Sequence, residues 1–114
     1  MAFVLKSSNS YFWPVTVEVP VSGGKWEKTT FDIEFQDLSQ SRLQEIAELS
    51  GEGALSDVDI AKEVMSGWSG IVDAEGDELP YSISARDQLL DQPMLASAIA
   101  SAYIDSKQGA KRKN

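Results

Sequence analysis

The chain has 114 residues, a net charge of −8, and neither cysteine nor histidine. Without cysteine it has no disulfide, no thiolate nucleophile and no zinc–sulfur site. Without histidine it lacks the commonest general base and the commonest transition-metal ligand. These absences argue against an enzyme, and we predict no catalytic residue, no cofactor and no metal site.

The charge is unevenly distributed along the chain. Residues 1–110 carry 7 basic and 18 acidic side chains, a net charge of −11, whereas Lys111, Arg112 and Lys113 are all basic. A surface this negative repels phosphate backbones, so we do not expect the protein to bind nucleic acid. We predict a single domain over 1–109 and a disordered basic tail over 110–114.

The sequence does not suggest a membrane protein. Its first residues lack the basic stretch, the long apolar segment and the cleavage site of a signal peptide. No apolar run approaches the roughly 18–20 residues that a membrane-spanning helix needs. We therefore expect an intracellular protein that does not enter a membrane.

The first third of the chain has the pattern of an antiparallel β-hairpin. Apolar residues fall on alternate positions over 11–21, and a second alternating segment runs over 26–35. The intervening Ser-Gly-Gly-Lys at 22–25 is a turn signal, because glycine supplies the positive φ angles of tight hairpins.

Two prolines and an N-terminal segment add detail to this predicted sheet. Pro14 and Pro20 have no N–H to donate to a ladder. Their strand is therefore predicted to be short or to lie at a sheet edge. Residues 2–5 are a candidate for a third strand.

From residue 37 onward the apolar spacing is helical. Ser39 has the features of an N-cap, and the helix that it begins should stop at the glycine-rich segment 51–53. Ser56 should begin a second helix, because an acidic residue follows at capping-box spacing. The spacing predicts that this second helix continues through Trp68 and ends near Gly70.

The second half completes an α+β domain. We predict a turn or small hairpin over 72–80, then a brief helix capped by Ser84 that ends near Leu90. Pro93 suits the first turn of a last helix, which is rich in small residues and ends near residue 109. The predicted fold is thus an N-terminal antiparallel hairpin or meander followed by three or four helices packed on it.

Two segments resemble chemical motifs only superficially. Residues 73–78 carry alternating acids, as a calcium loop does, but the sixth position is Glu78 and the twelfth is Ser84, where such a loop needs glycine and a bidentate glutamate. Gly-Trp-Ser-Gly at 67–70 lacks the spacing of a nucleophile elbow, and no histidine exists to take a proton. We interpret the first as a solvated acidic turn and the second as a helix end.

The three tryptophans have different predicted environments. Tryptophan is enriched at binding hot spots, but a two-layer domain also needs large apolar side chains in its core. Trp13 is predicted on the inward face of a strand and Trp68 on the inward face of a helix. Trp26 lies next to the hairpin turn and is the most exposed of the three in our prediction.

Three segments share their order and spacing with one known family. They are FDIEFQDL (31–38), followed at once by a capped helix, VMSGWSGIVD (64–73), and GDELPYS (76–82). The last leads into LLDQP (89–93) and an alanine-rich helix that ends in Ala-Tyr at 102–103. Together, over roughly residues 31–104, they resemble the small tail assembly chaperones of long-tailed bacteriophages.

The resemblance implies a function that the composition alone does not. Chaperones of this family bind the tape-measure protein in the cytoplasm of the bacterial host, keep it soluble while the tail assembles, and are absent from the finished virion. The resemblance also implies self-association into open or spiral oligomers, and a longer, frameshifted form that recruits the tail-tube protein.

A chaperone of this kind needs exposed apolar surface and high like charge. The acidic domain supplies the charge. For the partner-binding surface we predict Trp26, Met94, Leu95, Ile99 and Tyr103. For the motif residues Gly67, Trp68 and Gly70 we predict structural roles.

Three other functions remain as alternatives. A structural component of a phage tail would stay in the virion. A small carboxylate-dependent hydrolase would need a concave site lined by paired acids. A regulatory module that binds a host protein would share the acidic, non-catalytic character of this sequence.

Overall fold

The computed structural model describes residues 2–3, 5 and 9–108. Over these residues, three strands form one antiparallel sheet, and four helices complete the fold. This arrangement confirms the predicted α+β class; the predicted tail at 110–114 lies outside the described residues. The elements are β1 (Ser10–Val21), β2 (Lys25–Gln36), α1 (Gln40–Gly51), α2 (Asp57–Val64), β3 (Met65–Ser69), α3 (Ile83–Leu90) and α4 (Leu95–Gln108).

The predicted hairpin is confirmed. β1 pairs with β2 along its whole length, from Ser10 opposite Gln36 to Val21 opposite Lys25. The turn between them contains Gly23 and Gly24 at φ 92° and 74°, conformations that favour glycine. Among the described residues only β2 pairs with β1, so β1 is an edge strand, which is one of the two outcomes that its prolines predicted.

The strand β3, which pairs with β2 on the side away from β1, was not predicted. The helix begun at Ser56 ends at Val64, and residues 65–69 form β3 beside β2. The prediction that this helix continues through Trp68 was wrong, because pairing with residues 32–35 of β2 satisfies backbone groups that a Gly-containing helix would hold poorly.

The candidate strand over residues 2–5 lies partly outside the described residues. Of its described positions, Ala2, Phe3 and Leu5 lie outside any strand, and the apolar side chains of Phe3 and Leu5 are exposed.

The helix starts agree with the sequence in α1 and α2 and differ in α3 and α4. The Ser39 hydroxyl caps α1, and Ser56 forms a reciprocal capping box at the start of α2. α3 is capped by Ser82, two residues before the predicted Ser84, because the Ser82 hydroxyl accepts the Ala85 N–H at 3.0 Å. α4 begins at Leu95, after the predicted Pro93.

The core lies between the sheet and helices α2 and α4. α4 packs against both β1 and α2. Trp68 is buried and Trp13 is partly buried against the core, while Trp26 is exposed, as predicted. The fully buried side chains of largest volume are Tyr103, Phe35, Ile33, Ile99, Val15 and Val64.

Candidate functional site

The predicted partner-binding residues divide into an exposed pair and a buried trio. The side chains of Trp26 and Met94 are 60% and 61% exposed. Leu95, Ile99 and Tyr103 are buried, because they repeat every four residues along the face of α4 that packs on the core. The structure therefore gives these three a structural role, and only Trp26 and Met94 are available to a partner in this conformation.

Trp26 stands in the half of the hairpin that extends beyond the core. β3 pairs with β2 only over residues 32–35, and residues 25–30 of β2 are all exposed. Trp26 lies opposite Pro20. Lys25, Glu27 and Lys28 surround it in sequence and Glu18 lies opposite Lys28, so this end of the hairpin combines apolar surface with charges of both signs.

Met94 is exposed in an unusual backbone conformation. Its φ angle is 73°, in the left-handed region that side chains with a Cβ rarely adopt. Glycine would fit this position with less strain. The structure thus holds an apolar side chain in solvent, at the start of α4, at a conformational cost.

The body of the protein is strongly acidic. Residues 31–108 contain 16 acidic and 4 basic side chains. Each of the four cations already forms an ion pair within the domain: Arg42 with Glu45 and Glu63, Lys62 and Arg86 with Asp87, and Lys107 with Asp37. The remaining acids therefore present a negative surface that these cations do not neutralise.

An apolar groove runs between α1 and α4, with Ile60 of α2 also in its lining. It consists of two adjoining cavities of about 200 and 190 Å³. Ile46, Ile60 and Ile104 line both cavities, and Leu43 lines the first. Sequence reasoning missed this groove, although Ile104, which is 45% exposed, stands out as a large apolar residue beside the buried face of α4.

A buried tyrosine fixes the segment that leads from β2 into α1. The Tyr103 hydroxyl donates to the Gln36 carbonyl at 3.0 Å and accepts the Leu38 N–H at 3.2 Å. Burial raises the pKa of Tyr103, and the hydrogen bond from Leu38 opposes this shift. These bonds tie the start of α1, one wall of the groove, to α4, the other wall.

An ion pair strengthens the same connection. The Lys107 ammonium bonds the Asp37 carboxylate and lies over the rings of Tyr11 and Tyr103, at 5.0 and 5.3 Å from their centroids. The hydrogen bond from Lys107 lowers the pKa of Asp37. Burial opposes the charged form of Lys107, but its bonds to Asp37 and Tyr11 raise its pKa overall.

A second polar contact holds α1 against α2. The Arg42 guanidinium donates to both oxygens of Glu63, each at 2.7 Å, in bidentate geometry. The hydrogen bond from Arg42 lowers the pKa of Glu63, although burial opposes the shift. Ile46 is the one fully buried residue of α1, and this pair gives the helix a second point of attachment.

The motif residues at 67–70 have identifiable structural roles. Trp68 donates its indole N–H to the Leu79 carbonyl at 2.7 Å and packs edge-on against Tyr81, with ring centroids 5.0 Å apart. A Cβ on Gly67 would lie 2.6 Å from a carboxylate oxygen of Glu34. Gly70 adopts φ 88°. Trp68 thus joins β3 to the segment that follows it, Gly70 supplies a turn with positive φ, and Gly67 lies opposite Glu34 of β2.

The acidic segment at 73–78 is a turn closed by hydrogen bonds within the segment. The Asp73 carboxylate accepts the N–H groups of Glu75 and Asp77, each at 3.0 Å, and a β-bridge joins Val72 to Glu78. This confirms the predicted small hairpin. The part of the chain that the structure describes contains no group of three or more acidic side chains placed to hold a metal ion.

Comparison with known proteins does not identify the chain. No family model, no curated protein and no solved structure matches it. Among the described residues, every helix is too short or too polar to cross a lipid bilayer. The functional argument therefore depends on the surfaces described above.

Proposed function

We propose that this protein is a tail assembly chaperone of a long-tailed bacteriophage. In this role it binds the tape-measure protein in the cytoplasm of the bacterial host, keeps it soluble during tail assembly, and is absent from the mature virion. The observation that carries the proposal is the combination of large exposed apolar side chains with an acidic body whose cations are all paired internally.

This combination suits a protein that keeps an apolar client in solution. Exposed apolar groups supply the contact surface, and a high like charge prevents the complexes from associating further. Trp26 on the hairpin and Met94 just before α4 supply the exposed apolar groups. Residues 31–108, with 16 acidic and 4 basic side chains, supply the high like charge.

The proposal includes two further partners. Copies of the chain associate into open or spiral oligomers, and a longer, frameshifted form recruits the tail-tube protein. Small side chains on α4 support the first point, because Ala98, Ser101 and Ala102 leave a cleft of about 340 Å³ beside β1. Such a cleft lets an element of another copy approach the α4 backbone closely.

Co-expression with the tape-measure protein of the same phage tests the proposal. We expect this chain to increase the soluble fraction of the tape-measure protein, and the exposed-residue variants Trp26→Ser and Met94→Ser to reduce that effect while remaining folded. An acidic protein of similar size and charge serves as the control for charge alone. A client that stays insoluble beside the wild-type chain would contradict the proposal.

Mass spectrometry of purified virions separates this role from that of a structural tail component. A chaperone should be missing from particles whose tube and tape-measure proteins are readily detected. Detection of this chain in stoichiometric amounts would instead assign it to the tail itself.

A further inference from the structure

The apolar groove between α1 and α4 has a repeat that matches an α-helix. The first cavity contacts α4 at residues 103, 104, 107 and 108, and the second at residues 100, 101 and 104. Their centres are thus about one helical turn apart, or about 5–6 Å at 1.5 Å per residue. Side chains three or four residues apart on a partner helix have the same spacing, so two successive anchors can enter the two cavities.

The lining of the groove selects apolar anchors. Leucine and isoleucine side chains form most of the first cavity, and Ile46, Ile60 and Ile104 continue into the second. Ile104 lies between the two cavities and is partly exposed. An apolar side chain that covers it loses contact with water, at a gain of roughly 25 cal/mol per Å² of buried area.

The charge around the groove selects the polar face of the occupant. Lys107, a cation in the lining, is already paired with Asp37. Asp57 lines the second cavity, and no ion pair to it forms within the part of the chain that the structure describes. The surrounding domain is acidic as well, since residues 31–108 contain 16 acidic and 4 basic side chains. A partner with lysine or arginine beside its apolar face would therefore complement the charge at the groove.

We infer that the groove between α1 and α4 binds a basic amphipathic helix of a partner protein, with two apolar side chains one turn apart in its two cavities. This assignment deepens the chaperone role, since it names the chemistry of the client segment. It rests on the proposed function where it equates that helix with part of the client.

A synthetic peptide tests the groove directly. The probe is a helix of about 18 residues made of leucine and lysine, with the leucines at i, i+3 and i+4 on one face. A peptide of the same composition in scrambled order keeps the charge and removes the apolar face. A third peptide with glutamate in place of lysine keeps the apolar face and reverses the charge. Binding is measured by calorimetry or fluorescence anisotropy.

Two variants and one matched control locate the binding. Ile104→Gln removes the apolar group between the cavities, and Ser50→Gln narrows the second cavity from an exposed position on α1. Ile83→Gln makes the same chemical change as the first variant at an exposed isoleucine on α3. We expect the leucine–lysine peptide to bind the wild type and the control equally. Binding to each groove variant should be weaker by about tenfold.

Several results would overturn the inference. One is that the scrambled or the glutamate peptide binds the wild type as well as the leucine–lysine peptide does. Another is that the leucine–lysine peptide binds both groove variants as well as it binds the control. Sedimentation gives another: if the wild type is a dimer that Ile104→Gln converts to a monomer, a second copy fills the groove. Ser50→Gln preserves the test if Ile104→Gln does not fold.

The client assay separates this inference from the proposed function. If the wild type keeps the tape-measure protein soluble and both groove variants do so equally well, the chaperone role stands and the groove is not its client site. If the peptide binds the groove as expected but the wild type does not protect the tape-measure protein, the chaperone role fails and the groove remains a site for another helix.

Discussion

Replacing Tyr103 with phenylalanine removes one buried hydroxyl and keeps the ring. The hydroxyl joins two backbone groups, the Gln36 carbonyl and the Leu38 N–H, at the entry to α1. The ring packs edge-on against Phe35, with centroids 5.1 Å apart, and this contact persists in the variant. The change therefore isolates the hydrogen bonds that fix the segment between β2 and α1.

The magnitude follows from the burial of the groups involved. An orphaned buried donor or acceptor costs about 1–3 kcal/mol. Tyr103 is only 1% exposed, but Gln36 is exposed and Leu38 is partly buried, so water can replace part of what is lost. We therefore expect Tyr103→Phe to lower the free energy of unfolding by about 1–2 kcal/mol, near the lower end of that range.

Tyr11→Phe provides a matched control. The Ser106 hydroxyl donates to the Tyr103 carbonyl at 2.6 Å, so in their 2.7 Å contact the Tyr11 hydroxyl donates to Ser106. The Tyr11 hydroxyl also bonds Lys107, and all three side chains are partly exposed, so water replaces these bonds and their loss should cost only about 0.5 kcal/mol. Urea denaturation followed by circular dichroism compares the two variants, and hydrogen exchange reports the Leu38 amide. If Tyr103→Phe cost no more than Tyr11→Phe, or the Leu38 amide kept its protection, the argument would be refuted.

Three further changes test separate features. Gly70→Ala should lower the free energy of unfolding by about 1 kcal/mol or more, because the φ angle of Gly70 is 88°. Gly51→Ala in α1 should raise the free energy of unfolding by up to about 1 kcal/mol. Chemical denaturation measures both changes. Met94→Gly should raise the free energy of unfolding by about 0.5–1 kcal/mol, because it relieves the strain of a side chain at φ 73°. Met94→Ala keeps the Cβ and should not raise it. Because Arg42 lowers the pKa of Glu63 below the unfolded value, their pair stabilises the fold fully above about pH 5 and is lost as pH falls through the lowered pKa. Glu63→Gln should therefore be less stable at pH 7, with a shallower loss of stability on acidification, and equal slopes would contradict this.

Local chemistry made the hairpin and the first helix starts predictable. The alternation over 11–21, the paired glycines of the turn, and the hydroxyls of Ser39 and Ser56 each act within a few residues. β3 could not be predicted in the same way. Its pairing depends on residues 32–35 of β2, about thirty positions away, and the apolar spacing around Trp68 also fits a helix.

The candidate site was less predictable than the fold, for a physical reason. An apolar residue in a helix can face the core or the solvent, and its spacing does not distinguish the two until the packing partner is known. Leu95, Ile99 and Tyr103 are buried in the core, while Ile104, next in sequence to Tyr103, is partly exposed in the groove. The exposure of Trp26 was predictable because this residue adjoins a tight turn, where few other residues lie close enough to cover its side chain.

The attachment of α1 bears on how the groove would work. This wall of the groove buries a single residue fully, Ile46, and depends on the Arg42–Glu63 pair and the Tyr103 anchor at its start. Elements held by few apolar contacts open at lower free energy than the core does. The opposite wall, α4, is fixed by buried residues along its length. A groove with one firmly fixed wall and one wall held by fewer apolar contacts can accept partner helices with anchors of different sizes.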